Sequence, residues 1–439
     1  MLTAFDAGQM ARALELAARG RYSCRPNPAV GCVLTRDQRV LAEGFHARAG
    51  AAHAEVAALG ALAPGETAHG ATCYVTLEPC AHHGRTGPCV EALIEAGVAR
   101  VVYAATDPNP LVAGGGLARL AAAGISIDGP LMAQASMAFN RGFFKRMRDR
   151  RPRVVAKVAL SLDGAVALAD GQSQWITGPA ARADGQRLRA RAGAIVTGIG
   201  TVMADNPALT VRDARFARQI PNPPLRVVLD RRLRLSPAAR IAITEEAPTR
   251  VFTRSASAQD ISDGPAQVAL EARGVQVSRL PEITPEAVLQ ALAEAEINDV
   301  LLEAGPTLTA AFLDAGMIDE LVVYRSGRLL GAGAMPGLVP AAPPTLAAAM
   351  RLAPLDCRWV GGDLPGASRV VVREAPVEMT PHGVIPLRKD VPGPEVGDDR
   401  RHRIAVCHGS VLHPEAGARL ALRPVRMPDA GGGGCRACN

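Results

Sequence analysis

Apolar positions along the chain fall into two successive α/β patterns. Near the start, Met10, Ala13, Leu14 and Ala17 recur at the spacing of one helix face. Ala29–Leu34 and Arg39–Ala42 then read as short strands joined by a polar turn around Asp37. A helix starts near His53 and runs through Val56, Ala57 and Leu59, and Ala71–Leu77 follows as a strand. Cys89–Ala96 reads as a helix stopped at Gly97, Arg100–Ala105 as a strand, Gly116–Ala123 as a helix stopped at Gly124, and Ile125–Ile127 as a strand. That alternation predicts an α/β sandwich around a mostly buried sheet.

From Arg153 the pattern starts afresh. Strands are expected at 153–160, 193–198, 225–229, 250–253, 275–279, 299–303 and 319–324, with helices near 180–191, 285–295 and 307–315. The chain of 439 residues therefore divides into domains at 1–146 and 147–374. Residues 375–439 lose all periodicity and end in GGGGCRACN, as expected of a disordered tail. At the junction, Arg141, Lys145, Arg146, Arg148, Arg150, Arg151 and Arg153 face the single Asp149. A solvated linker helix is the plain reading of that segment, and a phosphate-binding surface the alternative.

Composition narrows the function. Only 2 Trp, 4 Tyr and 8 Phe are present, which argues against broad base-stacking surfaces and so against nucleic acid as partner. The net charge of +7 permits phosphorylated small molecules without requiring a polyanion. The amino-terminal segment lacks the unbroken apolar stretch of a secretory signal, and no run approaches a membrane span, so a cytoplasmic protein without membrane contact is expected. Nine cysteines, an odd and unevenly spread set, suggest reduced thiols and metal ligands over a disulfide framework.

Histidines and cysteines are unevenly placed: both types are absent from 90 to 356. Imidazole or soft-metal chemistry in the body of the protein must therefore sit early. Two segments supply it, His53-Ala54-Glu55 at a helix start and Cys80 with Cys89 after a strand. One His and two Cys make a three-ligand zinc site with its fourth position open, as in catalytic zinc. Zinc acidifies a bound water, and Glu55 can shuttle a proton from that water to a departing amine without binding zinc itself. The plain alternatives are a chance His-x-Glu and buried cysteines acting as small hydrophobes, which is how Cys24, Cys32 and Cys73 read. In the tail, Cys435 and Cys438 with Cys407 and His408 form a much weaker metal-binding pattern.

The segments PNPAVGCVL, GFHARAGAAHAEVAAL, YVTLEPCAHHGRTGPC and DPNPLVAGGG resemble the zinc-dependent cytidine-deaminase superfamily, and within it the deaminases of riboflavin biosynthesis. Eight residues, AHHGRTGP, separate the two cysteines here, where most nucleoside and transfer-RNA deaminases have two. The resemblance implies a cytidine-deaminase-like three-layer α/β/α domain, with Asn27, His46, His82, His83 and Arg85 lining the substrate pocket. Gly115 is a departure, standing where family members commonly carry Arg.

Without His or Cys, the long middle cannot repeat this chemistry, and hydride transfer by a bound cofactor suits its inventory. The segment Val300-Leu-Leu-Glu-Ala-Gly-Pro-Thr reads as a strand, then Glu303 and Gly305, then a helix start whose N–H groups can bind a pyrophosphate. It is not the G-x-G-x-x-G of a Rossmann fold. KVALSLDGAVALADGQSQWITG, GIGTVMADNPALTVR and LLEAGPTLTAAFLDAGMIDELVVY are similar to the reductase domain of the same bifunctional family. That likeness implies a dihydrofolate-reductase-like α/β fold and NADPH. Ala159, Trp175, Thr201, Asp205 and the turn Gly305, Pro306, Thr307, Leu308, Thr309, Ala310 and Ala311 would line the NADPH site. Ser173, Arg189, Leu209, Arg212 and Glu303 would hold the substrate; Lys157 and Asp163 either organise the cleft or are a strand-edge charge and a turn residue, and Arg231, at a position not basic in the family as a rule, is placed by its own position after the strand to face the 2′-phosphate. YRSGRLLGAGAM departs from the family pattern.

Together these resemblances imply a homo-oligomeric two-step enzyme. The first domain would deaminate 2,5-diamino-6-ribosylamino-4(3H)-pyrimidinone 5′-phosphate, and the second would reduce its ribosyl group to ribityl, giving 5-amino-6-ribitylamino-uracil 5′-phosphate. A nucleic-acid base deaminase and a non-catalytic binding protein are the rivals. The former leaves the second domain without a role, and the latter would be indifferent to loss of Glu55.

Overall fold

A computed structural model describes residues 2–81, 87–110, 112–255, 264–360 and 367–374. The tail, with its cysteines, and His82, His83 and Arg85 lie outside the described residues.

The first sheet is built from β1 (Gly31–Arg36), β2 (Arg39–Phe45), β3 (Thr72–Val75), β4 (Arg100–Tyr103) and β5 (Ser126–Asp128), in the order β2-β1-β3-β4-β5. β1 runs antiparallel to both neighbours, while β3, β4 and β5 are parallel. Alternation along the strands divides the core in two. Cys32, Leu34, Cys73, Val75 and Val101 meet the helices Ala54–Gly60, Cys89–Glu95 and Gly115–Ala122, whereas Val33, Tyr74 and Val102 meet the helix Ala4–Arg19. The result is a three-layer α/β/α unit. Its first helix opens with a reciprocal cap between Thr3 and Asp6, and the buried Asp6 also accepts hydrogen bonds from Tyr74 and Arg100, both at 2.7 Å.

The second sheet contains β6 (Arg153–Leu160), β8 (Ala194–Gly198), β9 (Leu225–Leu229), β10 (Thr249–Arg254), β11 (Gln276–Leu280), β12 (Asp299–Leu302), β13 (Glu320–Arg325), β15 (Leu352–Val360) and β16 (Ala367–Glu374). β7 (Ala165–Ala167) and β14 (Met335–Pro336) pair separately. Nine strands run in the order β11-β10-β9-β8-β12-β6-β13-β16-β15, parallel from β11 to β13, with β16 and β15 antiparallel at the edge. The central strands are apolar on both faces because helices cover both. Val155, Ile195, Val228 and Leu301 pack under Pro179–Arg191 and Ile199–Asp205, and Ala156, Val196, Val227 and Leu302 under Pro285–Glu294 and Pro306–Asp314.

The basic junction differs from the solvated linker expected of it. The helix Arg141–Asp149 buries Phe143 and Phe144, and its cations meet acceptors from the second half of the chain. Arg146 Nε donates to Asn298 Oδ1 at 2.6 Å, Arg151 pairs with Asp319 at 3.1 Å and Arg153 with Asp299 at 2.9 Å. A charge run looks solvated only while its acceptors, more than 140 residues away, stay out of view.

Candidate active sites

His53 stands at the N-terminal boundary of the helix Ala54–Gly60, and Cys89 is the first residue of its own helix. The first of these helices lies close on β2 because Gly44 has no side chain: a Cβ there would collide with the backbone of Ala54 and Ala58. His53 Nδ1 lies 3.2 Å from Cys89 Sγ and 3.5 Å from Cys80 Sγ, and all three ligand atoms fall within 4.8 Å of one another. Tetrahedral zinc with Zn–N near 2.05 Å and Zn–S near 2.3 Å requires N···S separations of about 3.5 Å, so the donor set fits zinc in spacing as well as in chemistry. The backbone N–H of Cys89 points at Cys80 Sγ from 3.4 Å. Hydrogen bonding from Cys89 and His53 holds the Cys80 thiol well below the ordinary range, the condition for a thiolate ligand.

Glu55 lies on the first turn of the same helix, 3% exposed, and lines the cavity that reaches the triad. Burial pushes its carboxyl up to about 7, the range in which a carboxyl both takes and gives a proton. The cavity, about 320 Å³, is also lined by Asn27 and His46. His46 Nδ1 lies 3.0 Å from the carbonyl of Ala52, which only accepts, so Nδ1 carries the proton. Its Nε2 then accepts from Asn27 Nδ2 at 3.0 Å, and burial lowers the imidazole pKa, keeping it neutral. Asn27 is left with its Oδ1 as acceptor for the cavity.

Several residues of this cavity escaped the sequence reading. Glu78 is 3% exposed and accepts from the backbone N–H groups of Gly114 and Gly116, both at 3.1 Å, and of Asp107 at 3.2 Å. It thereby ties the DPNPLVAGGG segment to the strand end that carries Cys80. Its signal was a carboxylate two residues before a ligand, facing a Gly-rich helix start. Phe143, Arg146, Met147 and Glu296 also line the cavity, although Glu296 belongs to the second half of the chain. No local pattern announces such a contribution.

In the second half, β8 and β12 are adjacent and parallel, and the helices that follow them start at Gly198 and Gly305. Carboxyl ends of parallel strands are where open α/β sheets bind ligands. Thr201 Oγ1 accepts from the N–H of Gly305 at 3.1 Å, so two of the expected NADPH residues are joined directly. Pro306, Thr307, Leu308, Thr309, Ala310 and Ala311 form the first turns of the helix Pro306–Asp314, with Thr309 and Ala310 packed inside. Ala159 lies on β6, Asp205 closes the helix Ile199–Asp205, and Arg231 is exposed just after β9.

Arg189 donates through Nε and Nη2 to the two oxygens of Glu303 at 2.6 and 3.0 Å, and through Nη1 to the carbonyl of Thr210 at 3.0 Å. Burial opposes ionisation of Glu303, but Arg189, Lys157 and Arg212 outweigh it and hold the carboxyl well below its ordinary range. Four of the residues singled out in the sequence thus share one electrostatic cluster. Leu209 is buried beside it with a left-handed backbone, φ 50°, and Arg212 is exposed. Trp175 is not drawn into this group: it is 59% exposed, with the Arg182 guanidinium 4.5 Å over its ring, and Ser173 lies two residues before it on the same loop. Asp163 accepts from the N–H groups of Leu330 and Gly331 at 3.0 and 2.8 Å, anchoring a turn.

Fold and geometry define a two-part α/β protein, a three-layer unit with a three-ligand metal-binding cluster followed by a large, mostly parallel sheet. Residues 4–105 match the family model for the cytidine and deoxycytidylate deaminase zinc-binding region, and residues 152–363 the model for the RibD C-terminal domain. The riboflavin biosynthesis protein RibD of Escherichia coli K12 is 46% identical over 350 residues, covering 76% of this chain and 92% of the relative. That of Haemophilus influenzae is 42% identical over 330 residues, covering 73% and 86%. Among solved structures, Acinetobacter baumannii RibD superposes with a TM-score of 0.75 at 42% identity, covering 85% of this chain and 99% of that one. A Thermotoga maritima diaminohydroxyphosphoribosylaminopyrimidine deaminase/5-amino-6-(5-phosphoribosylamino)uracil reductase gives 0.73 at 32% identity, covering 84% and 99%. The chain belongs to the RibD family: it is a bifunctional deaminase and reductase of riboflavin biosynthesis that uses zinc and NADPH.

Proposed function

We propose that residues 1–146 deaminate 2,5-diamino-6-ribosylamino-4(3H)-pyrimidinone 5′-phosphate and that residues 147–374 then reduce the ribosyl group to ribityl, giving 5-amino-6-ribitylamino-uracil 5′-phosphate. The observation that carries the first step is Glu55, buried in the cavity lined by His53 and Cys80, whose donor atoms cluster with that of Cys89. Held by those three residues, zinc supplies Lewis acidity and an acidified water. Glu55 takes a proton as the water oxygen bonds to carbon 2 of the pyrimidine and delivers it to the amino nitrogen, which leaves as ammonia. Asn27, oriented by neutral His46, offers the ring an acceptor; His82, His83 and Arg85, read from the resemblance as substrate residues, lie outside the described residues.

In the second step NADPH supplies the hydride. Thr201 and the turn from Gly305 to Ala311 bind the cofactor, together with Ala159, Trp175 and Asp205. Arg189 and Arg212 bind the substrate phosphate, Glu303 accepts hydrogen bonds from its hydroxyls, and Ser173 and Leu209 close the site. The fixed Arg189–Glu303 fork supports this division, since each group orients the other before substrate arrives.

The enzyme acts on a small phosphorylated molecule in the cytoplasm, and no helix among the described residues is long and apolar enough to cross a membrane. It assembles as a homo-oligomer. The exposed edge strand β15, with Leu355 and Trp359 41% and 73% exposed, supports that reading. Following ammonia release and NADPH oxidation in one reaction tests the sequence of steps. Ammonia release without NADPH, and NADPH oxidation only after deamination, are expected; NADPH oxidation that precedes ammonia release contradicts it.

A further inference from the structure

The deaminase cavity has a wall that the first domain does not supply. Glu296 enters it from the turn that precedes β12, and Arg146 from the helix Arg141–Asp149 at the end of the first domain, which also supplies His53, Glu55 and Cys80. Arg146 is the one Arg or Lys among the described residues that line this cavity. The remaining charged groups there are carboxylates: Glu55, Glu78, Asp107 and Glu296. A phosphate carried into such a space meets repulsion unless a cation receives it. The pyrimidine must present its amino carbon to the triad, so the phosphate, held at the far end of a ribose, needs its counter-charge elsewhere on the wall.

Arg146 is built for that task. Its Nε is committed to Asn298 Oδ1 at 2.6 Å, and no other hydrogen bond fixes its guanidinium among the described residues, so Nη1 and Nη2 remain as a fork. Asn298 is itself 6% exposed and held in place: its Nδ2 donates to the carbonyl of Pro26 at 2.6 Å, and its own carbonyl accepts from the N–H of Arg153 at 2.9 Å. Burial lowers the pKa of Arg146, and Glu296 offsets this in part.

We infer that Arg146, oriented by Asn298 of the reductase half, binds the phosphate of the deaminase substrate. The inference rests on the deamination reading above and extends it to one specificity residue. It also makes the first active site depend on a residue of the second half of the chain.

The test is steady-state ammonia release by the full chain with the phosphorylated diaminopyrimidine and with its dephosphorylated form. In Arg146→Ala, KM for the phosphorylated substrate rises about 10- to 100-fold, while kcat and the KM for the dephosphorylated one hold. Arg146→Lys regains part of the loss. NADPH oxidation with the deaminated phosphorylated pyrimidine, unchanged in both variants, reports intact folding. An unchanged KM for the phosphorylated substrate, or an equal rise for both, overturns the proposal. If the unaltered protein releases no ammonia from either substrate, the deamination reading falls. Calorimetric titration with ribose 5-phosphate then decides about Arg146 alone: one binding site fewer in Arg146→Ala supports the proposal, and an unchanged number overturns it.

Discussion

Asn298, placed just before the strand that leads to Glu303, donates its side-chain amide to the carbonyl of Pro26, next to Asn27, at 2.6 Å. One side chain from the reductase half therefore holds both the loop that carries Asn27 and, through Arg146, a second part of the cavity lining. Asn298→Ala leaves two half-buried partners, the Pro26 carbonyl and Arg146 Nε, without their hydrogen bonds, which costs about 1 kcal/mol each. Its expected effect is a lowered unfolding midpoint and a several-fold loss of ammonia-releasing kcat/KM with NADPH oxidation retained, measured by denaturant titration and by the two separate assays. Equal loss in both assays would contradict the link.

The Arg189–Glu303 fork predicts a reductase-specific defect. Arg189→Lys keeps the charge but loses the two parallel hydrogen bonds, and kcat/KM for NADPH oxidation is expected to fall at least about 10-fold. Ammonia release should not change. Because Glu303 stays ionised well below its ordinary range, the reductase rate should show no acid limb from this group between pH 5 and 7. A pH–rate profile checks this.

Asp6 gives a pH dependence of stability. Burial opposes its ionisation, but hydrogen bonds from Arg100, Thr3 and Tyr74 outweigh burial and hold the carboxyl far below its ordinary value. A depressed folded pKa contributes stability that is complete above the unfolded value of about 3.9 and is lost as pH falls from there through the folded value. Asp6→Asn should therefore destabilise by roughly 1.5–3 kcal/mol at pH 7, with a smaller difference from the unaltered protein at pH 3. Urea unfolding at the two pH values measures it; a constant difference would contradict the assignment.

Metal removal should separate the two activities. Chelation is expected to abolish ammonia release and leave NADPH oxidation with the deaminated substrate unchanged. Cys89→Ser should lower bound zinc, read by elemental analysis, because a hydroxyl does not become an anionic ligand near neutral pH as a thiol does.

Much of this was legible in the sequence. The β6, β9 and β12 strands and the helices at 179–191 and 285–294 appear where the sequence places them, because helices cover both sheet faces and the strands are mostly apolar. The cluster of His53, Cys80 and Cys89, with Glu55 in the adjoining cavity, was legible because the proposed chemistry demands those residue types near helix starts. Features fixed by distant chain segments were hidden. Arg226, on the β9 strand, is fully buried because the carbonyls of Ala208, Ile243 and Ala247 accept from it, a cradle no local pattern reveals. β15 and β16 escaped because β15, at the sheet edge, is exposed along most of its length and carries little apolar periodicity: Leu352, Leu355 and Trp359 are all exposed. Arg146 was visible only as one charge in a basic run, since its role depends on Asn298.

The central claim is that one chain carries two independent chemistries, the first moving its proton through Glu55. Ammonia release by Glu55→Gln, measured beside its zinc content and its NADPH oxidation with the deaminated substrate, tests this most directly. Ammonia release should fall about 100- to 10,000-fold, the usual contribution of a general acid–base group, with zinc and NADPH oxidation retained. Ammonia release within a few-fold of the unaltered enzyme, with zinc still bound, would contradict the account.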